Sequence, residues 1–359
     1  MDFGLSDEQK LLQETIRKLL ADVFPPARAR EVSKTASAHD PETWKLLAEN
    51  GALGVLVPES EGGSGLSFLD AMLVAEEVGR AAGPGAYVAT AVMGAIAAAH
   101  CGEDALRGEL ASQIASGSTR IGVGLAEVTG ARDGAGVKVA SGRLEGTALF
   151  VLDAVGADRL LVYTPDGLAL VSAAGPGVEV IPLSAVDGTR RYAEARLRRA
   201  EARALLPGAL PRVIAAGQIA LAFDSLGASE RALELAVGYA AQRKQFGRVI
   251  GSFQAVKHML AEIAAALEPA RSLCWYAAHV FDHEPDESAR YAALCKAHVS
   301  EVASEVLRKA TEVHGGIGFT EQYDLHLWFR RVALTRPLLG GPELLREHAL
   351  RLRGPARSL

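Results

Sequence analysis

Cysteine is scarce in this sequence: Cys101, Cys274 and Cys295 are all that 359 residues contain. An odd number with no metal-ligand spacing argues against a disulfide framework and against a metal site. The three read as buried thiols in a reducing compartment. A positive charge excess is lacking too. The formal net charge is −5, with 38 Lys and Arg against 43 Asp and Glu, so no basic field for nucleic acid is expected. The opening "MDFGLSDEQK" lacks the apolar core of a signal peptide. The longest apolar run, "AYVATAVMGAIAAAH", falls about four residues short of a membrane span. A cytoplasmic location without membrane attachment is the expectation. Neither an internal repeat nor a low-complexity segment is present.

What is there belongs to a folded chain. Hydrophobic residues make up 49% and charged residues 23%, the proportions of a globular protein. The length asks for two or three domains. In "LSDEQKLLQETIRKLLADVF", Ser6 followed by Glu8 and Gln9 marks a helix start, and Leu11, Ile16, Leu19 and Leu20 recur at roughly helical period. Two further helices are expected around a Pro-Glu and Gly-Gly-rich loop in "ETWKLLAENGALGVLVPESEGGSGLSFLDAMLVAEEVGRA".

Near Ser118 the texture changes. "VKVASGRLEGTALFVL" holds two β-rich runs around Ser141-Gly142, and "DRLLVYTPDGLALVSA" two more around Thr164-Pro165-Asp166-Gly167. Proline presets φ in that turn and glycine accepts a positive φ. "GVEVIPL" adds a strand. From Leu205 the helical period returns. Ile219, Phe223, Leu226, Leu233 and Val237 form one stripe, and Phe253, Val256, Leu260, Ile263 and Leu267 a second. Val299, Val302, Val306 and Val313 form a third, which stops at Gly315-Gly316. The fold class is therefore α+β and mostly α. A helical domain is expected at 1–118, a small antiparallel β domain at 119–203 and a four-helix bundle at 204–359.

"RKQFGRVIGSFQ", from Arg243 to Gln254, joins two of the long helices through a Gln-Phe-Gly turn. The residues alone leave two readings: a helix connection, or an arm that presents a cation and a ring to a bound group. A guanidinium fork matches phosphate oxygens bidentately, which lysine cannot do. A glycine pair such as Gly315-Gly316 lets a ligand approach the main chain, although a plain helix stop needs the same residues. Together with "EVHGGIGFTEQY", "WFRR" and the N-terminal "LLAENGALGVLVPESEGGSGL", the stretch resembles the acyl-CoA dehydrogenase family over nearly the whole chain.

The resemblance implies FAD as cofactor, an acyl-CoA thioester as substrate and subunits paired through their C-terminal bundles. Electron-transfer flavoprotein is the implied electron acceptor. It also implies that Arg243 pairs with the FAD pyrophosphate, that Gln245 and Phe246 lie against the cofactor, and that Gln254 bonds its polar edge. Gly315-Gly316 would admit the cofactor to the backbone. Glu312 stands where the family usually has glutamine, and His314 flanks the glycines.

The pattern breaks at the base. The family reaction removes an α proton with a carboxylate while hydride leaves Cβ for the flavin. Counting without gaps from Gly315, the usual Glu-Gly-Thr run falls on Leu339-Gly340-Gly341. The alternative position, before an arginine on the first long helix, holds Pro211. Glu343 is the nearest substitute, but a shift along the helix would move its carboxylate by several ångströms. The flavin-facing Thr-Glu-Pro…Gly-Ser-Asp loop is shortened, leaving Thr129 and Asp133 as candidate polar contacts. "LFVLDA" stands where a tryptophan strand should be.

These losses, beside an intact arm, resemble the β-type subunits of the heteromeric α2β2 acyl-CoA dehydrogenases that actinobacteria use on CoA thioesters of steroid side chains. The expectation is a subunit with no base of its own that completes the FAD site of an α-type partner in a heterotetramer. A homomeric flavoenzyme with Glu343 as displaced base and a non-enzymatic relative are the other readings. The six arginines of "TRRYAEARLRRAEAR" read as a solvated face, given the interleaved Glu194 and Glu201. His298 and Cys295 read as packing on one helix, and Trp275 and Tyr276 as core or interface.

Overall fold

The structure is a computed structural model and describes residues 4–83, 85–128 and 135–353. Thr129 and Asp133 lie outside the described residues. The N-terminal layer holds α1 (Asp7–Val23), α2 (Pro26–Val32), α3 (Pro41–Glu49), α4 (Phe68–Arg80), α5 (Ala95–Ala99) and α6 (Asp104–Ala115). The serine that marked the first helix start forms a full capping box: the Ser6 side chain accepts from the Gln9 amide and Gln9 returns to Ser6. That pairing satisfies two otherwise orphaned donors. The apolar run of the sequence is a π-helix over Tyr87–Gly94 that continues into α5.

The middle layer is one eight-stranded sheet: β1 (Ile121–Gly124), β2 (Gly136–Ala140), β3 (Arg143–Leu152), β4 (Arg159–Thr164), β5 (Gly167–Ser172), β6 (Val178–Leu183), β7 (Tyr192–Ala200) and β8 (Ala204–Leu206). The strand order is β6-β7-β3-β1-β4-β5-β8, with β2 paired to β3. All pairs are antiparallel except β1 with β4, which run parallel from Ile121↔Arg159 to Gly124↔Val162.

The C-terminal layer begins with α7 (Ala209–Gln242), of 34 residues and about 50 Å at 1.5 Å per residue. After a hairpin of β9 (Lys244–Gln245) and β10 (Arg248–Val249) come α8 (Gln254–His283), α9 (Pro285–His314), α10 (Leu325–Thr335) and α11 (Pro342–Arg351). By length and composition α7 could cross a membrane, but 78% of its apolar window is buried inside the fold. It is the central core helix, packed on α4, α8 and α9. Ile219, Phe223 and Leu226 are fully buried, whereas Val237, assigned to the same stripe, is 47% exposed near the C-terminal end of the helix.

The arginine run is not a solvated face throughout. Residues 192–200 are an interior strand that pairs with β3 and β6. Arg198 and Arg199 face solvent. Arg190 is buried with its Nη2 2.6 Å from Asp224. Arg191 donates to the carbonyls of Ser33, at 2.8 Å, and of Ala36, at 3.0 Å, fastening the loop after α2 to the sheet. His298 faces solvent instead of packing. Cys295 lies fully buried with its sulfur 3.7 Å from that of Cys274. Trp275 packs against the core, and Tyr276 is half-exposed beside Tyr291.

Candidate functional site

Two places carry the residues singled out by the sequence, and they lie far apart along α7. The first is one end of the bundle. Since α7, α8 and α9 run up, down and up, the C-terminus of α7, the N-terminus of α8 and the C-terminus of α9 meet there. The rings of Tyr239 and His314 confirm the meeting, with centroids 4.6 Å apart. Arg243, Gln245, Phe246, Gln254, Glu312, Gly315 and Gly316 are all at this end, and all are exposed.

The β9–β10 hairpin turns through Phe246 at φ 50° and Gly247 at φ 77°. Two successive positive φ angles are what a two-residue hairpin of this twist requires. Asparagine or glycine would be the easier first residue, since a bulky side chain in the left-handed region is strained. The Phe246 ring is 91% exposed and meets only the edge of Phe253, at 6.2 Å between centroids. Arg248 stacks on the other ring, 4.0 Å above Phe253. Arg243 caps α7 through its backbone N–H to the Tyr239 carbonyl. Its guanidinium has no carboxylate partner among the described residues. A cation without a carboxylate partner among the described residues and a largely exposed ring thus stand close together in sequence at this end of the bundle.

The glycine pair stands at the same end. Gly315 sits at φ +65°, and a Cβ on either Gly315 or Gly316 would meet nothing within 4 Å. No neighbour in the chain requires Gly316 to be small, so the bare surface is open to a ligand. Below it His314 is buried between Tyr239 and Tyr323 and bonds the Ala310 carbonyl through Nδ1 at 2.7 Å. Burial lowers its pKa from the ordinary value, so the neutral ring acts as a pillar. Glu312 pairs with Arg308, which also holds Glu305 at 2.5 Å. That pairing balances the Glu312 charge within the helix. The sequence reading missed Phe319 and Ile317, which extend the exposed apolar surface of this end at 77% and 38% exposure.

The second place is a chamber of about 420 Å³ between the sheet and the helices. Val123 from β1, Leu152 from β3, Tyr192 from β7, Leu221 from α7, Leu334 from α10 and Met93 from the π-helix form its walls. Leu339 stands on the wall. Its backbone is at φ 54°, and its carbonyl accepts from Gln218 Nε2 at 2.9 Å. A Cβ on Gly217 would come within 2.7 Å of Leu339 Cδ1 and 2.9 Å of Met93 Sδ. Leu339 therefore folds down onto α7 where glycine leaves room, and the chamber stays open. No carboxylate or amine is among the described lining residues.

Neither alternative base position changes that. Pro211 is exposed in the first turn of α7, where a missing N–H costs nothing. The adjacent Arg212 stacks 3.6 Å over Phe281 and donates to its carbonyl at 2.7 Å. Glu343 points outward, 72% exposed and 3.1 Å from Arg336. The "LFVLDA" stretch bulges in β3 between Ala148 and Val151. Phe150 is there at φ 49° and 57% exposed, at the mouth of the chamber.

Two buried polar centres hold the walls, and sequence reading found neither. Asp224 on α7 receives Arg331 from α10 at 2.7 and 2.9 Å and Arg190 from the bend leading into β7 at 2.6 Å. Arg331 also donates to the Gly83 carbonyl at 2.9 Å and the Thr189 hydroxyl at 2.8 Å. One cluster thus ties all three layers together. Lys296, fully buried on α9, donates to Ser300 Oγ and the Thr335 carbonyl, both at 2.9 Å, and to the Arg336 carbonyl at 3.2 Å. It caps the C-terminus of α10 just before the turn that carries Leu339. Burial pulls its pKa down to about 7. Among the described residues no group of three His, Cys, Asp or Glu is placed to hold a metal.

Comparison with known proteins agrees with this architecture. The family description "Acyl-CoA dehydrogenase, N-terminal domain" matches residues 6–118, and "Acyl-CoA dehydrogenase, C-terminal domain" matches residues 211–351. The chain is 33% identical over 344 residues to the acyl-CoA dehydrogenase IpdE2 of Mycobacterium tuberculosis, covering 95% of this chain and 96% of that one. Among solved structures, the Tcur3481-Tcur3483 steroid ACAD superposes with a TM-score of 0.88 at 31% identity, covering 96% of this chain and 97% of that one. The ChsE4-ChsE5 complex from Mycobacterium tuberculosis superposes with a TM-score of 0.90 at 27% identity, covering 99% of this chain and 100% of that one.

Proposed function

Because the chain belongs to the acyl-CoA dehydrogenase family, we propose that it is the β-type subunit of a heteromeric, FAD-dependent member. In this reading it lends its arm to the FAD of an α-type partner and leaves the proton abstraction to that partner. The observation that carries the reading is the chamber: its described walls hold no carboxylate or amine, and Leu339, at the position where the resemblance implies the base, lines it. A leucine cannot take an α proton, and a general base must stand within hydrogen-bond reach of the proton it removes.

The arm supports the same division of labour. Between Leu221 at the chamber and Arg243 lie some 20 residues of unbroken α7, about 30 Å. Arg243 is therefore remote from its own chamber and open to a neighbouring subunit. There its guanidinium would hold the pyrophosphate. Phe246 would pack against the cofactor, with Gln245 beside it and Gln254 at its polar edge. Gly315 and Gly316 would admit it to the backbone, with Glu312, balanced by Arg308, confined to ribose hydroxyls. The exposure of Arg243, Phe246, Gly315 and Gly316 fits FAD there. Bound FAD supplies the hydride acceptor. This chain's residues orient it and shield it from water.

The solved relatives named as the two-part ChsE4-ChsE5 and Tcur3481-Tcur3483 complexes, the latter a steroid ACAD, support a heterotetramer. The steroid ACAD also supports a CoA thioester with a steroid-derived acyl group as its substrate, and electron-transfer flavoprotein is the acceptor that this reading expects. The test is co-purification. The lone chain is expected to be colourless and inactive, and co-expression with an α-type partner is expected to yield a yellow complex that oxidises an acyl-CoA. Stoichiometric flavin absorbance from the lone chain overturns the reading.

A further inference from the structure

The chamber beside Leu339 has walls and no reactive group, and we propose that it binds one uncharged, compact hydrocarbon body, a polycyclic of steroid type, which the chain holds without transforming it. This site is separate from the arm at the far end of α7, and its occupant is bound by this chain alone.

Size and chemistry define the occupant. At about 420 Å³ the chamber lies within the range of small-molecule pockets, which are concave and mostly apolar. Ser184 and Tyr192 are its only polar side chains among the described lining residues, and the Tyr192 hydroxyl is buried without a hydrogen-bond partner. A charged ligand would lose its hydration there without a counter-ion. A flavin ring, with several hydrogen-bonding groups along one edge, would leave most of them unpaired against these walls. An uncharged hydrocarbon body gives up no hydrated charge by entering, and one carbonyl on it would accept from the Tyr192 hydroxyl.

An empty apolar space destabilises a fold in proportion to its volume, and side chains normally close it. Here the means of closing it are turned away. Leu339, the side chain best placed to fill the chamber, is folded down onto Gly217, with its carbonyl pinned by Gln218. The Asp224–Arg190–Arg331 cluster braces the sheet, α7 and α10, three of the elements that form the walls. At the mouth Phe150 and Val186 stand 57% and 63% exposed, apolar lips with no water-soluble function. Fixed walls favour a rigid occupant, because a preformed ring system gives up less conformational freedom on binding than a flexible chain.

The test uses progesterone as an uncharged tetracyclic probe, titrated calorimetrically into the lone chain and into its complex. Saturable binding of one molecule per chain is expected, with a raised melting temperature. Two variants place the site. Ala185→Trp fills the chamber from a partly exposed loop position at the edge of the core, and Val186→Asp puts a charge on an exposed lip away from it. Ala185→Trp is expected to abolish binding and Val186→Asp to weaken it at least about tenfold, both with an unchanged circular dichroism spectrum. Arg243→Ala, which removes a group needed at the arm, is expected to leave progesterone binding as it was. Failure of the chamber proposal is thereby distinguished from failure of the β-subunit reading. Absence of saturable binding up to the solubility limit, or equal binding by both chamber variants and the wild type, overturns the proposal.

Discussion

Replacing Asp224 by asparagine changes a charge and almost nothing in shape, so its outcome reads the electrostatics of the junction between the three layers. Asp224 is completely buried. Burial by itself would raise its pKa, but Arg190 and Arg331 outweigh that and hold the carboxyl below its ordinary value. The substitution leaves two guanidinium groups buried against a neutral amide. Removing one partner of a buried ion pair costs about 3–5 kcal/mol. Arg331 keeps the Gly83 carbonyl and the Thr189 hydroxyl, whereas Arg190 loses the carboxylate to which its Nη2 bonds. A loss of about 4 kcal/mol follows, against a typical total of roughly 5–15 kcal/mol. Urea unfolding followed by near-ultraviolet circular dichroism, extrapolated linearly to water, measures it. The triple variant Asp224→Leu, Arg190→Met, Arg331→Met is expected to recover most of the loss, since apolar groups of similar volume replace buried ion clusters nearly neutrally. An Asp224→Asn protein within about 0.5 kcal/mol of wild type would refute the reasoning.

Arg243→Ala removes an exposed side chain without an ionic partner. Its stability should stay within about 0.5 kcal/mol of wild type, while flavin retention by the complex falls at least about a hundredfold, as loss of two charge-assisted bonds requires. Arg243→Lys should recover only part of it, and flavin fluorescence during titration reads both. Lys296 titrates at about 7 in the folded chain against 10.5 as a free side chain. Between those values the unfolded chain binds a proton that the folded one does not, so stability rises with pH across that window. The cost is fully present below it and gone above it. The wild-type stability minus that of Lys296→Met should therefore climb between pH 7 and pH 9 by up to about 1.4 kcal/mol per unit. Leu339→Glu puts a carboxyl against apolar walls that favour its neutral form. Its pKa should rise, and the variant should lose stability relative to wild type as pH increases from 5 to 8, measured by the same unfolding assay.

Much of the fold was legible because local signals agreed. Ser6 with Gln9, the Thr164–Gly167 turn and the apolar stripes of α8 and α9 each specify a short-range structure that tertiary contacts then preserve. That Arg243, Phe246, Gly315 and Gly316 share one exposed end of the bundle followed from the sequence, because each lies at the end of a long helix or in the turn joining two of them. The junction was not legible. Arg190, Asp224 and Arg331 are far apart in sequence, and an arginine that pairs across such a distance looks the same on paper as one in water. The clue available was the alternation of Tyr192, Ala193, Ala195 and Leu197 with charged neighbours, which marks a paired strand and not a charged loop. The open chamber had no sequence signal at all. Whether Leu339 fills the space or folds onto Gly217 depends on a left-handed backbone angle that the residue type does not announce.

Counting FAD per pair of chains in the purified heteromeric complex tests the division of labour most directly. One FAD per pair, absent from the lone chain and lost with Arg243→Ala, is the expected result. Two per pair, one of them held by this chain in isolation, would contradict it.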